Sequence, residues 1–338
     1  MKIVTLNEFE PEWIWLRDVY ADDPELTWSP NQTDRVQQVP AWIPKRRSVA
    51  RMMAAWKAAG ELAGHQDLLV THGPRPTMYG AIAAKLRRGG TRHLAFLNFT
   101  DLPTGAMRRV MALAFKHVDH FAVYSTMERT LYSEYFDLPI DRFEMVHWGV
   151  HRPVFDAQEA PLETGDYICA LGSQARDYAV LCEAMRQVPH CRLVIVATPQ
   201  SMLGADPPPN VVVHHNISLA KAMNILGHSR FMVVPLRASD VPCGHVTLVS
   251  AMHLGKAVIC TDSSGVTDYV QPDVTGYVVE SGNANAMAQA IGDLHDRPAD
   301  IDRFGAAGRL FADEHCSEKT TIRHFGEYLV RLGVRQPR

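Results

Sequence analysis

The sequence of 338 residues is long enough for two domains of ordinary size. Apolar residues make up 46% of the chain and charged residues 21%, which is typical of a soluble globular protein with a large core. The net charge is only −3, and no apolar run reaches the roughly 18 residues that a membrane-spanning helix requires.

The amino-terminal segment "MKIVTLNEFEPEW" predicts a first strand followed by a loop, and it is charged too early for a signal peptide. The cysteines all lie in the second half and form no C-x-x-C pair: Cys169, Cys182, Cys191, Cys243, Cys260 and Cys316. We therefore expect reduced, buried thiols in a cytoplasmic protein rather than disulfides or a cysteine-based zinc site.

The first half alternates short apolar runs with helical patterns. The predicted strands are "KIVTL", "DLLVTH", "HLAFLN", "HFAVYS" and "FEMVHW". Helices are predicted between them at 48–63, 77–88, 106–116 and 126–134. This alternation indicates β-α-β units and a parallel sheet.

Positive charge is concentrated in the first half. Residues 35–116 hold fourteen Lys/Arg and three Asp/Glu, a local balance of +11. Such a field attracts an anionic partner. No nucleic-acid module accompanies it, and aromatic residues are not interleaved as a stacking platform requires. We therefore favour an anionic membrane surface or an anionic acceptor, with a solvated basic face as the alternative.

The segment "PKRRSVARMMAAWKAAG" is the most suggestive part of this region. On a helix that begins at residue 48, apolar side chains fall near one side with cations beside them: Val49, Met52, Met53 and Trp56, flanked by Arg51 and Lys57. This pattern resembles an interfacial amphipathic helix. It would equally suit a helix that packs on the first sheet with its charges in water.

The second half repeats the alternation. Its predicted strands are "YICAL", "RLVIVA", "VVVHH", "FMVVPL", "AVICT" and "GYVVE", with helices at 179–187, 218–226, 247–254 and 285–294. We predict Rossmann-like domains at 1–150 and 151–316, with residues 151–166 as the connection and a final helix within 317–338 that packs back on the first domain. Two doubly wound sheets facing a central cleft would bind ligands at the carboxyl ends of their strands.

Two glycine-containing turns could bind phosphate. After the strand that ends at Leu171, the loop carries Gly172 and Ser173, and Arg176 precedes the next helix. Glycine permits close backbone approach, and arginine can bind phosphate with two parallel hydrogen bonds. The pattern is not G-x-G-x-x-G, so it predicts no dinucleotide fingerprint. Arg176 could instead pair with Asp177.

The second turn begins the helix at Gly244, His245, Val246 and Thr247. Free N–H groups and the helix dipole make such a start an anion site that needs no metal. Two such turns would suit a diphosphate. The alternatives are a helix cap without a ligand and an ordinary surface histidine at His245.

The order "FMVVPL…GHVTLVSAMHLGKAVICTDSSGVTDYVQPDVTGYVV" resembles the carboxyl-terminal half of retaining glycosyltransferases of family 4, which have the GT-B fold. "RDYAVLCEAM" followed by "RLVIVA" is similar to the opening of their donor domain. "FAVYSTMERTLYSEYFDLPIDRFEMVHWGVHRPVFD" is similar to the end of their first domain. The resemblance covers residues 67–309.

The resemblance implies transfer of a sugar from a nucleoside-diphosphate sugar, UDP- or GDP-linked, with retention and without a metal or another cofactor. The second domain would bind the donor and the first an acceptor, such as a lipid-linked or polysaccharide precursor. The implied donor residues are Gly172, Ser173, Arg176, Thr198, Asn216, Ile217, Arg237, Gly244, His245, Val246, Thr247 and Ser250. The histidine that the family often has near the reaction centre has no clean match here, and our candidate catalytic residues are His72, Asn98, Asp101 and Arg176.

The sequence also departs from the family. The paired glutamates of the family fall on Pro242 and Ser250. Ser250 could bind a ribose hydroxyl more weakly than a carboxylate does, and Asp240 or His245 could replace the other carboxylate. The glycine-rich turn after the first strand is absent. Two alternatives therefore stay open: a non-catalytic sugar-nucleotide binder, and an epimerase or hydrolase of the same fold.

Overall fold

The computed structural model describes residues 1–8, 16, 20, 23–33, 38–237, 243–263 and 265–334. The chain divides into two compact units, residues 1–146 with 321–338 and residues 147–320. We call them the amino-terminal unit and the carboxyl-terminal unit. Each contains a parallel six-stranded sheet. Within the described residues, no helix is both long and apolar enough to cross a membrane.

The sheet of the amino-terminal unit has the strand order β2-β1-β3-β4-β5-β6. Its strands are β1 Lys2–Asn7, β2 Thr27–Gln32, β3 Leu68–His72, β4 Arg92–Phe96, β5 His120–Val123 and β6 Phe143–Met145. Its helices are α1 Arg46–Glu61, α2 Pro74–Arg88, α3 Gly105–Phe115 and α4 Thr126–Phe136. The strand order reverses direction between β1 and β3, and this is where such sheets bind ligands.

Strand β2 is the one described strand of this unit that the sequence did not predict. Its sequence, "TWSPNQ", contains Pro30 and lacks regular apolar alternation. It pairs in parallel with β1 alone, so that Thr5 lies opposite Pro30. An edge strand tolerates proline because one side of its backbone needs no partner in the sheet. Pairing with β1, rather than local propensity, makes this segment a strand.

The sheet of the carboxyl-terminal unit has the order β12-β11-β10-β7-β8-β9. Its strands are β7 Ile168–Leu171, β8 Leu193–Ala197, β9 Val211–His215, β10 Met232–Val234, β11 Val258–Thr261 and β12 Gly276–Val279. Its helices are α5 Tyr178–Gln187, α6 Leu219–His228, α7 His245–His253, α8 Ala284–His295 and α9 Pro298–His315. This is the strand order of the Rossmann sheet, with the reversal between β7 and β10.

Both sheets are covered by helices on both faces, which confirms the doubly wound prediction. On β7, Ile168 and Ala170 belong to a core with α5 and α8, whereas Cys169 and Leu171 belong to a core with α6 and α7. The alternation follows from the two-residue period of a strand. Because both faces are buried, the strands are nearly continuous apolar runs.

Helix α10, Glu318–Arg331, completes the core of the amino-terminal unit. Phe325 and Leu329 are fully buried in one cluster with Ile3 and Leu68. Burial of side chains of this size stabilises by roughly 1.5–3 kcal/mol each. The tail of the chain is therefore part of the same core as its beginning.

Helix α1 packs through a different face from the one the sequence suggested. Its buried side chains are alanines: Ala50, Ala55, Ala58 and Ala59. Met52, Met53 and Trp56 are exposed by 54%, 53% and 47%. The alanines at 55, 58 and 59 share a core cluster with side chains of β1, β3 and α2, and the larger apolar side chains lie at the surface.

The six cysteines are free, as the sequence predicted. Five are buried, and Cys243 is partly exposed. Burial raises the pKa of Cys182 and Cys191 to about 11. These thiols therefore stay protonated at neutral pH and behave as small apolar side chains.

Candidate functional sites

The predicted donor residues lie along one edge of the carboxyl-terminal sheet. Gly172 follows β7, Thr198 follows β8, Asn216 follows β9 and Arg237 follows β10 closely. All these strands are parallel, so their carboxyl ends share an edge. The structure thus brings together residues that are far apart in the sequence. We call this edge the donor edge.

Two segments of the donor edge meet at the strand reversal. Arg176 and Leu236 form an isolated antiparallel bridge. The backbone N–H of Asp177 donates to Pro235 O over 2.8 Å, and that of Arg237 donates to Ala175 O over 3.0 Å. These bonds fix the loop after β7 against the segment that follows β10.

The Arg176 guanidinium joins the two glycine turns. Its Nε donates to Leu171 O over 3.2 Å, its Nη1 to Gln174 O over 2.9 Å, and its Nη2 to Thr247 Oγ1 over 3.1 Å. The first two acceptors lie on either side of Gly172, and the third lies in the first turn of α7. One side chain therefore holds both predicted phosphate loops.

Glycine is required on both sides of this guanidinium. Gly172 has φ +110°, and a Cβ there would lie 2.7 Å from Arg176 Nη2. Gly244 has φ +90°, and a Cβ there would lie 3.2 Å from Arg176 Nη1. Other residues rarely adopt such positive φ angles. The glycines thus serve both the turn and the close approach of the arginine.

Arg176 is a buried cation, only 3% exposed. The alternative of an ion pair with Asp177 is wrong, because the Asp177 carboxylate caps α5 by accepting from Val180 N over 3.2 Å. Burial lowers the pKa of Arg176, and no carboxylate of the described residues pairs with it. A buried cation in this state favours an anionic ligand.

The start of α7 contains the remaining phosphate-site candidates. His245 is 6% exposed, so it is not the surface histidine considered as an alternative. Its ring centroid lies 4.5 Å from that of Tyr269. Burial lowers the pKa of His245 to about 4, which keeps the ring neutral at pH 7. Val246 is half exposed.

Ser250 stands where the resemblance places a glutamate. It is buried, and its hydroxyl donates to Val246 O over 2.7 Å within α7. Its oxygen lone pairs can still accept a hydrogen bond. Asp240 and Pro242, which also bear on the missing carboxylates, lie outside the described residues.

The loops after β8 and β9 continue the donor edge. Ser173 Oγ accepts from the backbone N–H of Thr198 over 3.0 Å. Asn216 has φ +52°, and Ile217 packs partly buried against the core. Arg237 is exposed. The Ser173–Thr198 hydrogen bond therefore joins the loops that follow β7 and β8.

Tyr178 belongs to the same arrangement, although sequence reasoning missed it. Its hydroxyl donates to Gly172 O over 2.6 Å, so it fixes the carbonyl of the turn. The only sequence signal was a tyrosine two positions after Arg176, at the first position of a helix. Without the fold, that tyrosine could not be told from a core aromatic residue.

The amino-terminal unit has a cavity of about 670 Å³ at the strand reversal between β1 and β3. It includes all three predicted acceptor-side residues: His72, Asn98 and Asp101. It is also lined by Glu8 and Arg75, which sequence reasoning missed. Glu8 directly follows β1, and Arg75 lies at the start of α2 after Gly73. Both residues lie just beyond the end of a strand, and that position is the sequence feature that could have identified them. We call this cavity the acceptor cavity.

His72 is a buried, neutral side chain of this cavity. Its ring stacks on Phe96 with 4.7 Å between the centroids and 3° between the planes. Burial lowers the pKa of His72 to about 3. It therefore carries no charge at physiological pH, and any role in the reaction must be that of a neutral imidazole.

Apolar and polar side chains share the acceptor cavity. Met107 and Met111 of α3 line one part, and Arg75 Nη1 donates to Met107 Sδ over 3.1 Å. Asn98, Thr100 and Asp101 supply hydrogen-bonding groups. A mainly apolar cavity with a few polar groups is typical of a small-molecule site.

Part of the carboxyl-terminal unit is similar to a known family. Residues 166–297 match the family model of glycosyl transferases group 1. The amylovoran biosynthesis glycosyltransferase AmsK of Erwinia amylovora is 27% identical over 107 residues, which cover 30% of this chain and 26% of that protein. The match thus spans about a quarter of the length of that curated relative.

Solved structures resemble the whole chain. A glycosyltransferase from Rickettsia africae ESF-5 is 15% identical with a TM-score of 0.73, covering 99% of both chains. Anabaena Alr3699/HepE in complex with UDP-glucose is 14% identical with a TM-score of 0.70, covering 98% of this chain and 100% of that one. The predicted GT-B fold, with its two Rossmann-like units, is confirmed.

Proposed function

We propose that this protein is a glycosyltransferase that moves a sugar from a nucleoside-diphosphate sugar to an acceptor. The proposal rests above all on Arg176, a buried cation that joins two glycine turns and has no carboxylate partner among the described residues. The family domain at residues 166–297 supports the class of reaction. The similar fold of HepE, whose structure was solved in complex with UDP-glucose, suggests the class of donor.

In this proposal the diphosphate binds at Gly172, Ser173 and the start of α7. Backbone N–H groups at a helix start attract anions through their partial charge and the helix dipole. When the nucleoside diphosphate leaves, negative charge grows on its outer phosphate. Preorganised donors such as these can stabilise that charge by roughly 3–4 kcal/mol each. No metal is needed for this charge balance.

The acceptor would bind in the acceptor cavity. Asn98 and Asp101 are placed to hydrogen-bond its hydroxyl groups, and Arg75 could pair with an acidic group. His72 would orient a hydroxyl as a neutral ring, because its pKa of about 3 leaves it uncharged. We further propose, from the family resemblance, that the configuration of the sugar is retained and that the departing phosphate accepts the acceptor proton.

Nucleotide binding to EDTA-treated protein tests the donor site. UDP and GDP should each be titrated by calorimetry into the native chain, Arg176→Lys and Arg186→Lys. We expect at least one nucleotide to bind without metal. Arg176→Lys should weaken that binding at least tenfold, because the three donors of an ammonium cannot replace the five of the planar guanidinium, which bonds three protein acceptors and has donors left for phosphate. Arg186 lies on the surface of α5 and serves as the control. Binding that requires metal, or equal binding by all three proteins, would contradict the proposal.

Incubation with UDP- and GDP-sugars tests the reaction against its alternatives. A transferase releases nucleoside diphosphate faster when a saccharide or lipid-linked acceptor is present. Release of free sugar or formation of an epimer from donor alone would indicate a hydrolase or epimerase. Binding without turnover under all these conditions would indicate a non-catalytic sugar-nucleotide binder.

We also propose that α1 binds an anionic membrane surface. Met52, Met53 and Trp56 of α1 are exposed, as are Arg47 and Lys57 of the same helix and Trp42, which precedes it. Arg87 of α2 lies over the Trp56 ring at 5.0 Å and adds a cation. Each cation near an anionic surface contributes on the order of 1 kcal/mol. The predicted cytoplasmic location stays a prediction.

A further inference from the structure

A cluster of histidine and carboxylate side chains lies outside both candidate sites. His120 begins β5, Glu144 lies in β6 and His324 lies in α10. One ligand atom from each lies within 4.8 Å of the other two. These three residues belong to the amino-terminal unit, and none of them lines the acceptor cavity.

The two histidines are buried and incompletely bonded. His120 is 7% exposed and His324 is 4% exposed. His120 Nε2 lies 2.9 Å from Glu144 Oε2, but the contact is not aligned as a hydrogen bond. His324 Nε2 has no hydrogen-bond partner among the described residues. Buried polar atoms normally have a partner, so this arrangement needs an explanation.

We propose that His120, Glu144 and His324 form a zinc site that fixes α10 to the sheet of the amino-terminal unit. Two imidazoles and one carboxylate are a common ligand set for Zn²⁺, with water in the fourth position. Ligands at 2.0–2.1 Å in a tetrahedral arrangement lie about 3.3 Å apart. His120 Nε2 lies 2.9 Å from Glu144 Oε2 and His324 Nδ1 lies 3.6 Å from Glu144 Oε1, so each histidine lies beside a different carboxylate oxygen at close to this spacing.

The surroundings suit metal ligands. Arg331 Nη2 donates to Glu144 Oε2 over 2.7 Å, as an outer partner that orients a ligating carboxylate. The His120 ring stacks on Tyr328 at 5.1 Å, and the His324 ring packs edge-on against Phe96 at 6.2 Å.

A second three-residue set provides an internal comparison. His190, Cys191 and His295 of the carboxyl-terminal unit also lie within ligand distance of one another. His190 is exposed, whereas both histidines of the first set are buried. We therefore assign zinc to the first set.

Zinc titration of the EDTA-treated full chain tests the site, with a chromophoric chelator as competitor. We expect one Zn²⁺ per chain and a higher melting temperature when zinc is bound. His324→Gln and Glu144→Gln should each lower zinc affinity at least a hundredfold, and Arg331→Gln roughly tenfold as an outer partner. The double variant His190→Gln/His295→Gln should bind zinc like the native chain.

Cobalt substitution gives a second readout. The native chain should show the visible absorption of four-coordinate Co²⁺ without a thiolate band, because the ligands are nitrogen and oxygen only. His324→Gln should lose this spectrum while its metal-free form keeps the native circular dichroism. Zinc binding unchanged in both His324→Gln and Glu144→Gln, no zinc binding by the native chain, or a thiolate band abolished by His190→Gln/His295→Gln would overturn the proposal.

Discussion

Arg176 and Thr247 are 71 positions apart in the sequence, yet Arg176 Nη2 donates to Thr247 Oγ1 over 3.1 Å. This bond connects the loop after β7 to the first turn of α7. The two segments are neighbours because β7 and β10 are adjacent in the sheet, although β8 and β9 lie between them in the sequence. The bond is the contact by which the two predicted phosphate turns become one site.

The variant Thr247→Val tests how much this hydrogen bond contributes to the free energy of unfolding. Valine has nearly the same shape as threonine but removes the hydroxyl acceptor, which leaves a buried guanidinium N–H without that partner. We expect the free energy of unfolding to fall by roughly 1–3 kcal/mol in urea titrations. Thr247→Ser keeps the acceptor and should lose much less. Equal losses in the two variants would mean that the methyl group, not the hydrogen bond, matters.

Gly172→Ala should impair both folding and nucleotide binding. The new Cβ would lie 2.7 Å from Arg176 Nη2, and alanine rarely adopts the φ of +110°. Gly165→Ala is the matched control, because Gly165 also has a positive φ, +78°, but nothing lies within 4 Å of a Cβ there. We expect Gly165→Ala to cost roughly 1–3 kcal/mol through backbone strain alone. Gly172→Ala should cost more, and only this variant should weaken nucleotide binding in calorimetry.

The burial of His245 predicts that the stability of the protein depends on pH. Its pKa falls from 6.5 in the unfolded chain to about 4 in the folded protein, because burial penalises the charged ring. The unfolded chain therefore takes up a proton first as the pH falls below 6.5. Stability from the neutral ring is present above that pH and is lost between about pH 6.5 and pH 4, by up to about 1.4 kcal/mol per pH unit.

The variant His245→Gln isolates this effect from those of other titrating groups. The variant should be least stable relative to the native chain at pH 7. As the pH falls to 4.5, the native chain loses the stability that depends on the neutral ring, so its advantage over the variant should shrink. Urea titrations at several pH values measure the difference. His190→Gln, a change at an exposed histidine, is the control. A difference that is constant with pH would contradict the assigned pKa.

Membrane binding by α1 should depend on both its apolar and its charged side chains. We expect the native chain to sediment with anionic vesicles at low salt, less at high salt, and little with neutral vesicles, because salt screens exposed charges. Arg47→Glu/Lys57→Glu and Trp42→Ser/Met52→Ser/Trp56→Ser should each reduce sedimentation. Arg46 and Arg51 are poor choices for this test, because Arg46 donates to Val39 O and Arg51 pairs with Glu8.

Leu203→Ser/Leu310→Ser is the matched control for the apolar variant. Both leucines are exposed, by 65% and 70%, but lie in the carboxyl-terminal unit. Vesicle binding should be unchanged in this control. Sedimentation that is equal with anionic and neutral vesicles, or equal losses in the control and the α1 variants, would argue against a specific membrane surface.

The sequence by itself determined the class of fold and most of its elements. Parallel strands buried on both faces must be continuous apolar runs, so "KIVTL", "RLVIVA" and "AVICT" could be recognised without any tertiary information. Gly172 was likewise recognised as a glycine after a strand and Gly244 as a glycine before a helix, because few other residues allow such turns. The edge strand β2 escaped prediction because its pairing with β1, not its own composition, holds it in place.

Only the tertiary structure decided what the marked residues do. Arg176 is read as a loop cation from the sequence, but the adjacency of β7 and β10 buries it between two turns and gives it three hydrogen bonds. Glu8 and Arg75 join His72 and Asp101 only because the strand order reverses beside β1. Local sequence patterns specify helices and strands. The burial of a side chain, the pairing of its charge and its contacts across the sheet depend on which helices and strands become neighbours, and the whole fold determines those neighbours.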